Sequence, residues 1–364
     1  MQTSAEVIDA LLRKKPAERV GLADSIWDQT LKAWVAEGYP TSPDGQPVSP
    51  AEHFHFDMWG VGGGFDALPL RGVEEVIEET DEWVIKRNGA GAALRNWKTR
   101  TGVPEHIDFR MTSREVWERD YRPHLLALDR RRLDVEGTAK ELARRRRQGY
   151  WTFYGHLFLW ENMRRSLGDV CLYESVLLDP AWIHDYNRVN TDFYKMHFKV
   201  LIEEAGRPDG IWLYEDLGYK HRLFCSPKVY GELLFPYYKE LVDFFHAYDL
   251  PVVLHTCGYV EPAMDLIVGA GFDGLNPMEV KAGNDPLKLA AGYHDRIAFV
   301  GGLDARVLES GDREHIRREV VRLVEGMKAV GARYVFGSDH SVSTRVRYAD
   351  FQYALDVCRE HGAC

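Results

Sequence analysis

The sequence predicts an α/β protein: a (β/α)8 TIM-type barrel with an N-terminal helical extension and an inserted β-hairpin. Two observations lead there. From about residue 210, short β-rich runs alternate with helical segments in five successive units, and such alternation calls for a parallel sheet covered by helices. The N-terminal half offers three further runs, 53–58, 106–111 and 150–156, which raise the strand number to eight. An open doubly wound sheet also satisfies the alternation. Eight strands in 364 residues fit a closed barrel with insertions. No internal repeat or low-complexity linker divides the chain. A single domain over 1–364 is expected, with 1–50 as the helical extension and 210–361 as the best-marked part.

The elements read in order as follows. Leu31, Trp34 and Val35 share one helical stripe, which ends at Gly38-Tyr39-Pro40. Residues 72–87 read as a hairpin near the barrel mouth. Arg144 to Arg147 follow Lys140-Glu141-Leu142 in a helical segment and read as a solvated helix face. Ile211-Trp212-Leu213-Tyr214 is a strand. Ser226-Pro227 supplies a cap and a first-turn proline for a helix over 227–248. Strands follow at 251–255, 272–276, 297–300 and 334–336, with helices near 260–269, 285–292, 312–330 and 347–361.

Composition excludes several functions. The formal net charge of −10 argues against nucleic acid, whose phosphates require a positive surface. No apolar run approaches the ~20 residues of a membrane span. The N-terminal segment is polar and lacks a signal-peptide pattern, so a soluble cytoplasmic protein is expected. The five cysteines are sparse and irregularly spaced, which argues against a disulfide framework.

The chemistry gathers at strand ends. In a parallel barrel the carboxyl ends of the strands form one face, and active sites lie there. These ends carry Tyr214, Glu215 and Asp216; then His255 and Cys257; then Asn276 leading to Glu279; then Gly301, Gly302 and Asp304; and last Ser338, Asp339 and His340. Imidazole and thiolate are ligands that zinc favours. Residues i and i+2 of a strand point to one side, so His255 and Cys257 can reach one ion. Two ligands do not complete a site, and Glu279 with the Ser338-Asp339-His340 cluster are the nearest suppliers. Gly62-Gly63-Gly64 lacks dinucleotide-fingerprint spacing and reads as a loop.

Three stretches sharpen this reading: Leu254-His255-Thr256-Cys257-Gly258, Gly274-Leu275-Asn276-Pro277-Met278-Glu279 and Phe299-Val300-Gly301-Gly302-Leu303-Asp304. With them the chain resembles the uroporphyrinogen decarboxylase superfamily, well over 210–361 and loosely before. The resemblance implies a (β/α)8 barrel. It is closer to the cobamide-dependent methyltransferase branch than to true decarboxylases, whose Arg-Gln-Ala-Gly-Arg motif is replaced here by Arg19-Val20-Gly21-Leu22-Ala23-Asp24. In the methyltransferase branch the His-x-Cys pair binds zinc, a glutamate follows about two dozen residues later, and a further thiolate stands near the last strand. His255, Cys257 and Glu279 match that order, but Gly337-Ser338 stands at the thiolate position, leaving His340 or Asp339 to complete the shell.

The resemblance implies a zinc-dependent methyltransferase or demethylase of one-carbon metabolism. It would move a methyl group between a cobamide on a separate corrinoid protein and a small molecule. His255, Cys257, Glu279 and His340 are the expected metal ligands. Glu215, Asp216 and Asp339 are the expected catalytic groups, and Asp57, Asn276, Asp304 and Tyr214 the substrate-binding ones. A homodimer is a candidate assembly; neither nucleic acid nor a membrane is an expected partner. The alternatives are a metal-independent decarboxylase or other lyase and a non-catalytic metabolite-binding barrel. A lyase acting on an acidic substrate needs pocket cations, for which Arg110, Lys220, His221, Arg222 and Arg345 are the candidates.

Overall fold

A computed structural model describes residues 2–99 and 104–364. Eight parallel strands form one sheet: β1 (Gly21–Leu22), β2 (Met58–Gly60), β3 (Trp151–Leu157), β4 (Gly210–Glu215), β5 (Val252–Thr256), β6 (Gly274–Asn276), β7 (Ala298–Val300) and β8 (Tyr334–Phe336). Each strand from β2 to β8 pairs with its successor in sequence, and β8 pairs with β1. The two ends of the sheet meet where the Asp57 N–H donates to the Leu22 carbonyl at 2.8 Å. That contact closes the barrel.

The five C-terminal strands fall where the sequence places them. Their residues are almost wholly buried, as strands covered on both faces must be. The run 150–156 is also found, as β3 (Trp151–Leu157), whereas the other two N-terminal runs and β1 differ. β1 is only two residues long and lay unread inside the helical extension; two residues display no periodicity. The run 53–58 divides into a short helix, Pro50–His53, and the start of β2. The run 106–111 is no barrel strand. Glu105–Phe109 ends a four-stranded antiparallel sheet with Glu74–Glu79, Trp83–Asn88 and Ala92–Trp97, in place of the expected hairpin. Its outer strand, Glu74–Glu79, is exposed throughout and carries four glutamates. Such charges discourage edge-to-edge pairing.

The N-terminal helix Ser4–Leu12 plugs the amino end of the barrel. Thr3 and Glu6 form a capping box at its start. Val7, Ile8, Leu11 and Leu12 pack on a layer that includes Trp151, Trp212, Val253, Ala298 and Val335. Burying such aliphatic side chains contributes about 1.5–3 kcal/mol each. Gly21 is required by the contact: a Cβ there would stand 2.6 Å from Ile8 Cδ1. At the same end Asp57 accepts two hydrogen bonds from the Arg19 guanidinium, at 2.8 and 2.7 Å, and one from the Leu22 N–H at 2.7 Å.

The basic run on helix Val135–Arg147 is not wholly a solvated face. Arg145 turns inward, 5% exposed, and its guanidinium lies 3.3 Å from the centre of the Trp59 ring. Glu52 and Glu141 hold it, each at 2.6 Å. Among the described residues no helix is long and apolar enough to cross a membrane.

Candidate active site

Strand register builds the site. His255 stands between Tyr214 on β4 and Asn276 on β6. Alternation along β5 turns His255 and Cys257 inward and Leu254 and Thr256 outward. Just past the strand, Gly258 adopts φ +80°, and a Cβ there would fall 2.2 Å from the Gly218 carbonyl carbon. Only glycine permits that turn and that approach.

Hydrogen bonds fix the histidine. The Asn276 Nδ2 donates to the Val300 carbonyl at 3.1 Å, so its Oδ1 is the acceptor facing His255 Nδ1, at 2.6 Å. The Nδ1 therefore carries the proton, and the Nε2 lone pair faces Cys257 Sγ at 3.5 Å. Burial lowers the His255 pKa and favours the neutral ring.

The third member of the cluster is Asp216, in the loop beyond β4. Its Oδ1 accepts the Cys257 N–H at 3.1 Å. One ligand atom each from Asp216, His255 and Cys257 lies within 4.8 Å of the other two. Burial, then the carboxylates of Asp216 and Glu279, push the Cys257 thiol well above its ordinary range. A divalent cation would reverse that tendency by stabilising the thiolate. Nitrogen, sulfur and carboxylate oxygen together are a donor set that suits zinc.

Glu279 and His340, expected as ligands, stand outside this trio. Glu279 Oε2 accepts the Gly258 N–H at 2.7 Å, so it braces the turn after Cys257. Asp339 is fully buried and ties three strand ends together: its carboxylate accepts from the Val280 and Ala305 N–H groups, each at 2.8 Å.

Residues 174–361, more than half of the chain, match the family model described as Uroporphyrinogen decarboxylase (URO-D). The chain belongs to the uroporphyrinogen decarboxylase family. Among solved structures, this family member is similar to a methyltransferase from Methanosarcina mazei, with a TM-score of 0.71, 15% identity and 99% coverage of each chain. That likeness establishes the shared fold. A class V chitinase from Pseudomonas fluorescens Pf-5 aligns at a TM-score of 0.35 and 10% identity, over 62% of this chain and 85% of its own, and supports nothing further. No curated protein matches the sequence.

In this uroporphyrinogen decarboxylase family barrel, a cavity of about 570 Å³ opens at the carboxyl ends of the strands. Tyr214, His255, Cys257, Asn276 and His340 line it. His340 packs against Trp27, ring centres 6.0 Å apart. Asp24, Trp59 and Trp212 also line it and were not foreseen. Asp24 follows β1, the strand too short to be seen in the sequence. It accepts from the Ser338 N–H at 2.9 Å, the Ser338 hydroxyl at 2.8 Å and the Ser25 N–H at 2.8 Å. Burial, the largest influence, pushes its pKa up to about 7.

Besides Asp216, Glu279 and Asp339, three more expected residues lie outside the cavity lining. Glu215 follows inward-facing Tyr214 by one position, so alternation turns it outward. There it accepts the Trp160 and Glu161 N–H groups at 2.8 and 2.6 Å, and the Tyr238 hydroxyl. Asp57 lies at the opposite end of the barrel, bound to Arg19. Asp304 caps the helix Ala305–Glu309 and pairs with Arg306. None of Arg110, Lys220, His221, Arg222 and Arg345 lines the cavity; Arg345 is an exposed neighbour of Glu309.

Proposed function

We propose that the protein is a zinc-dependent methyltransferase, or demethylase, that works with a separate corrinoid protein. One observation carries the reading: the donor atoms of Asp216, His255 and Cys257 converge beside the cavity at the carboxyl ends of β4 and β5. His255 offers Nε2, Cys257 its sulfur and Asp216 a carboxylate oxygen. Asn276 holds the imidazole in the tautomer that leaves Nε2 unprotonated. Zinc, when bound there, supplies a Lewis acid that lowers the pKa of a nucleophile accepting a methyl group from methylcobamide. Glu279 keeps the loop after Cys257 in place through the Gly258 N–H. Among the described residues the cavity lining contains neither Arg nor Lys, which disfavours decarboxylation of a polyanionic substrate.

Metal analysis of the wild type beside His255→Ala and Cys257→Ala tests this directly. One zinc per chain in the wild type, lost in both variants together with methyl transfer from methylcobalamin, is the expected result. A wild type prepared without chelators that carries no zinc, or variants that retain it, refutes the proposal.

A further inference from the structure

The cavity has three chemically distinct sides, and the metal-donor trio accounts for only one. The second is an aromatic wall along β3 and β4. Phe153 and Trp212 lie 5.3 Å apart between ring centres, and Trp212 and Tyr214 lie 6.3 Å apart. Each outer ring is laid across a glycine of the preceding strand. A Cβ at Gly60 would meet the Phe153 ring at 3.2 Å, and one at Gly155 would meet the Tyr214 ring at 3.2 Å. Side chains at those two positions would push the rings into the cavity, so the glycines keep it open.

The third side is Asp24, at the end of β1, four strands around the barrel from β5. Its hydrogen-bond donors, from Ser25 and Ser338, are all uncharged. The nearby Asp339 carboxylate adds negative potential. Among the described residues no Arg or Lys lines the cavity to balance it. A half-buried carboxyl group in a cavity wall without a counter-charge is costly to ionise, and a cationic guest would remove that cost. Aromatic faces attract the same guest through their quadrupoles. A neutral guest gains contact alone, and an anion meets repulsion.

We propose that this cavity binds an organic ammonium ion, with Asp24 as counter-charge and Phe153, Trp212 and Tyr214 as its cage. That the ammonium is also the methyl-bearing substrate rests on the function proposed above; the binding itself does not.

The test is calorimetry on the full chain with three probes of one shape. Choline carries the positive charge, 3,3-dimethylbutan-1-ol is its neutral counterpart, and 3,3-dimethylbutanoate is an anion. Choline should bind at least about tenfold more tightly than the alcohol, as charge recognition by rings and a carboxylate implies, and the anion should not bind. Asp24→Asn should abolish the preference for choline while leaving the alcohol unaffected. Equal or tighter binding of the alcohol by the wild type overturns the inference, as does undiminished choline binding by a folded Asp24→Asn variant. The wild-type comparison decides the matter even if that variant does not fold. Zinc content, measured on the same samples, separates the two proposals. Choline selectivity in a protein that takes up no zinc sinks only the methyltransferase reading; a zinc protein without selectivity sinks only this one.

Discussion

The hydrogen bond from His255 Nδ1 to Asn276 Oδ1, 2.6 Å long, makes a sharp prediction about metal affinity. Asn276→Ala removes the acceptor that holds the imidazole with Nε2 unprotonated. The ring then divides between tautomers and loses its fixed orientation. Loss of such an outer partner lowers metal affinity about 10–100-fold, equivalent to about 1.4–2.7 kcal/mol. Asn276→Asp keeps an acceptor at the same place and gives it a charge, so zinc should bind that variant at least as tightly as the wild type. Competition against a chromophoric chelator at one fixed pH measures both, with thermal melting as a check on folding. If the alanine variant binds zinc within twofold of the wild type, the orientation argument is wrong, whatever the activity shows.

Three further outcomes concern residues that the structure places outside the cavity. Asp57→Ala leaves the buried Leu22 N–H without its acceptor and frees the half-exposed Arg19 guanidinium to water; chemical denaturation should show a loss of about 1–3 kcal/mol, with zinc content unchanged in the folded fraction. Glu215→Ala leaves the buried Trp160 and Glu161 N–H groups without an acceptor, at about 1–3 kcal/mol each; it should lower stability but leave zinc affinity intact, and a selective loss of zinc would return Glu215 to the site. The His246 ring, 2.8 Å from Asp273, has a pKa raised chiefly by that hydrogen bond. Its contribution is fully present below the unfolded-state value near 6.5 and is lost as pH rises through the folded value. The pair is partly solvent-screened, so His246→Gln should cost less than about 1 kcal/mol at pH 5.5 and nothing at pH 9, as read by melting temperature.

Legibility in the sequence followed strand length and strand phase. The strands from β4 to β8 announce themselves because both faces are buried and helical segments separate them. β1 does not, because two residues carry no pattern, and Asp24 was hidden with it. The run around Ile107 is locally as strand-like as any barrel strand, yet it pairs antiparallel with Ala92–Trp97; pairing partners are a tertiary choice that a short run does not encode. His255 and Cys257 were readable because i and i+2 share a face. Glu215 and Asp216 were read as equivalent neighbours, and phase separates them: one braces a helix start behind the barrel and the other joins the donor trio. Arg145 looked like its exposed neighbours until the structure set it against Trp59.

Phase also resolves the missing thiolate. The resemblance places a second thiolate near the last strand, where this chain has Ser338, and that hydroxyl is engaged by Asp24. On the proposed reading Asp216 takes its place from the other side of the mouth. Charge is conserved by the exchange. One thiolate, one carboxylate and one neutral imidazole carry two negative charges against a divalent ion, as two thiolates and an imidazole do. Softness is not conserved, because carboxylate oxygen is a harder donor than sulfur. Asp216 is also held before any ion arrives: Oδ1 accepts the Cys257 N–H, which leaves Oδ2 to serve as the ligand. Removing that carboxylate with Asp216→Ala therefore strips one charge and one donor at once, and zinc should be lost as completely as in Cys257→Ala, whereas Ser338→Ala should leave it bound.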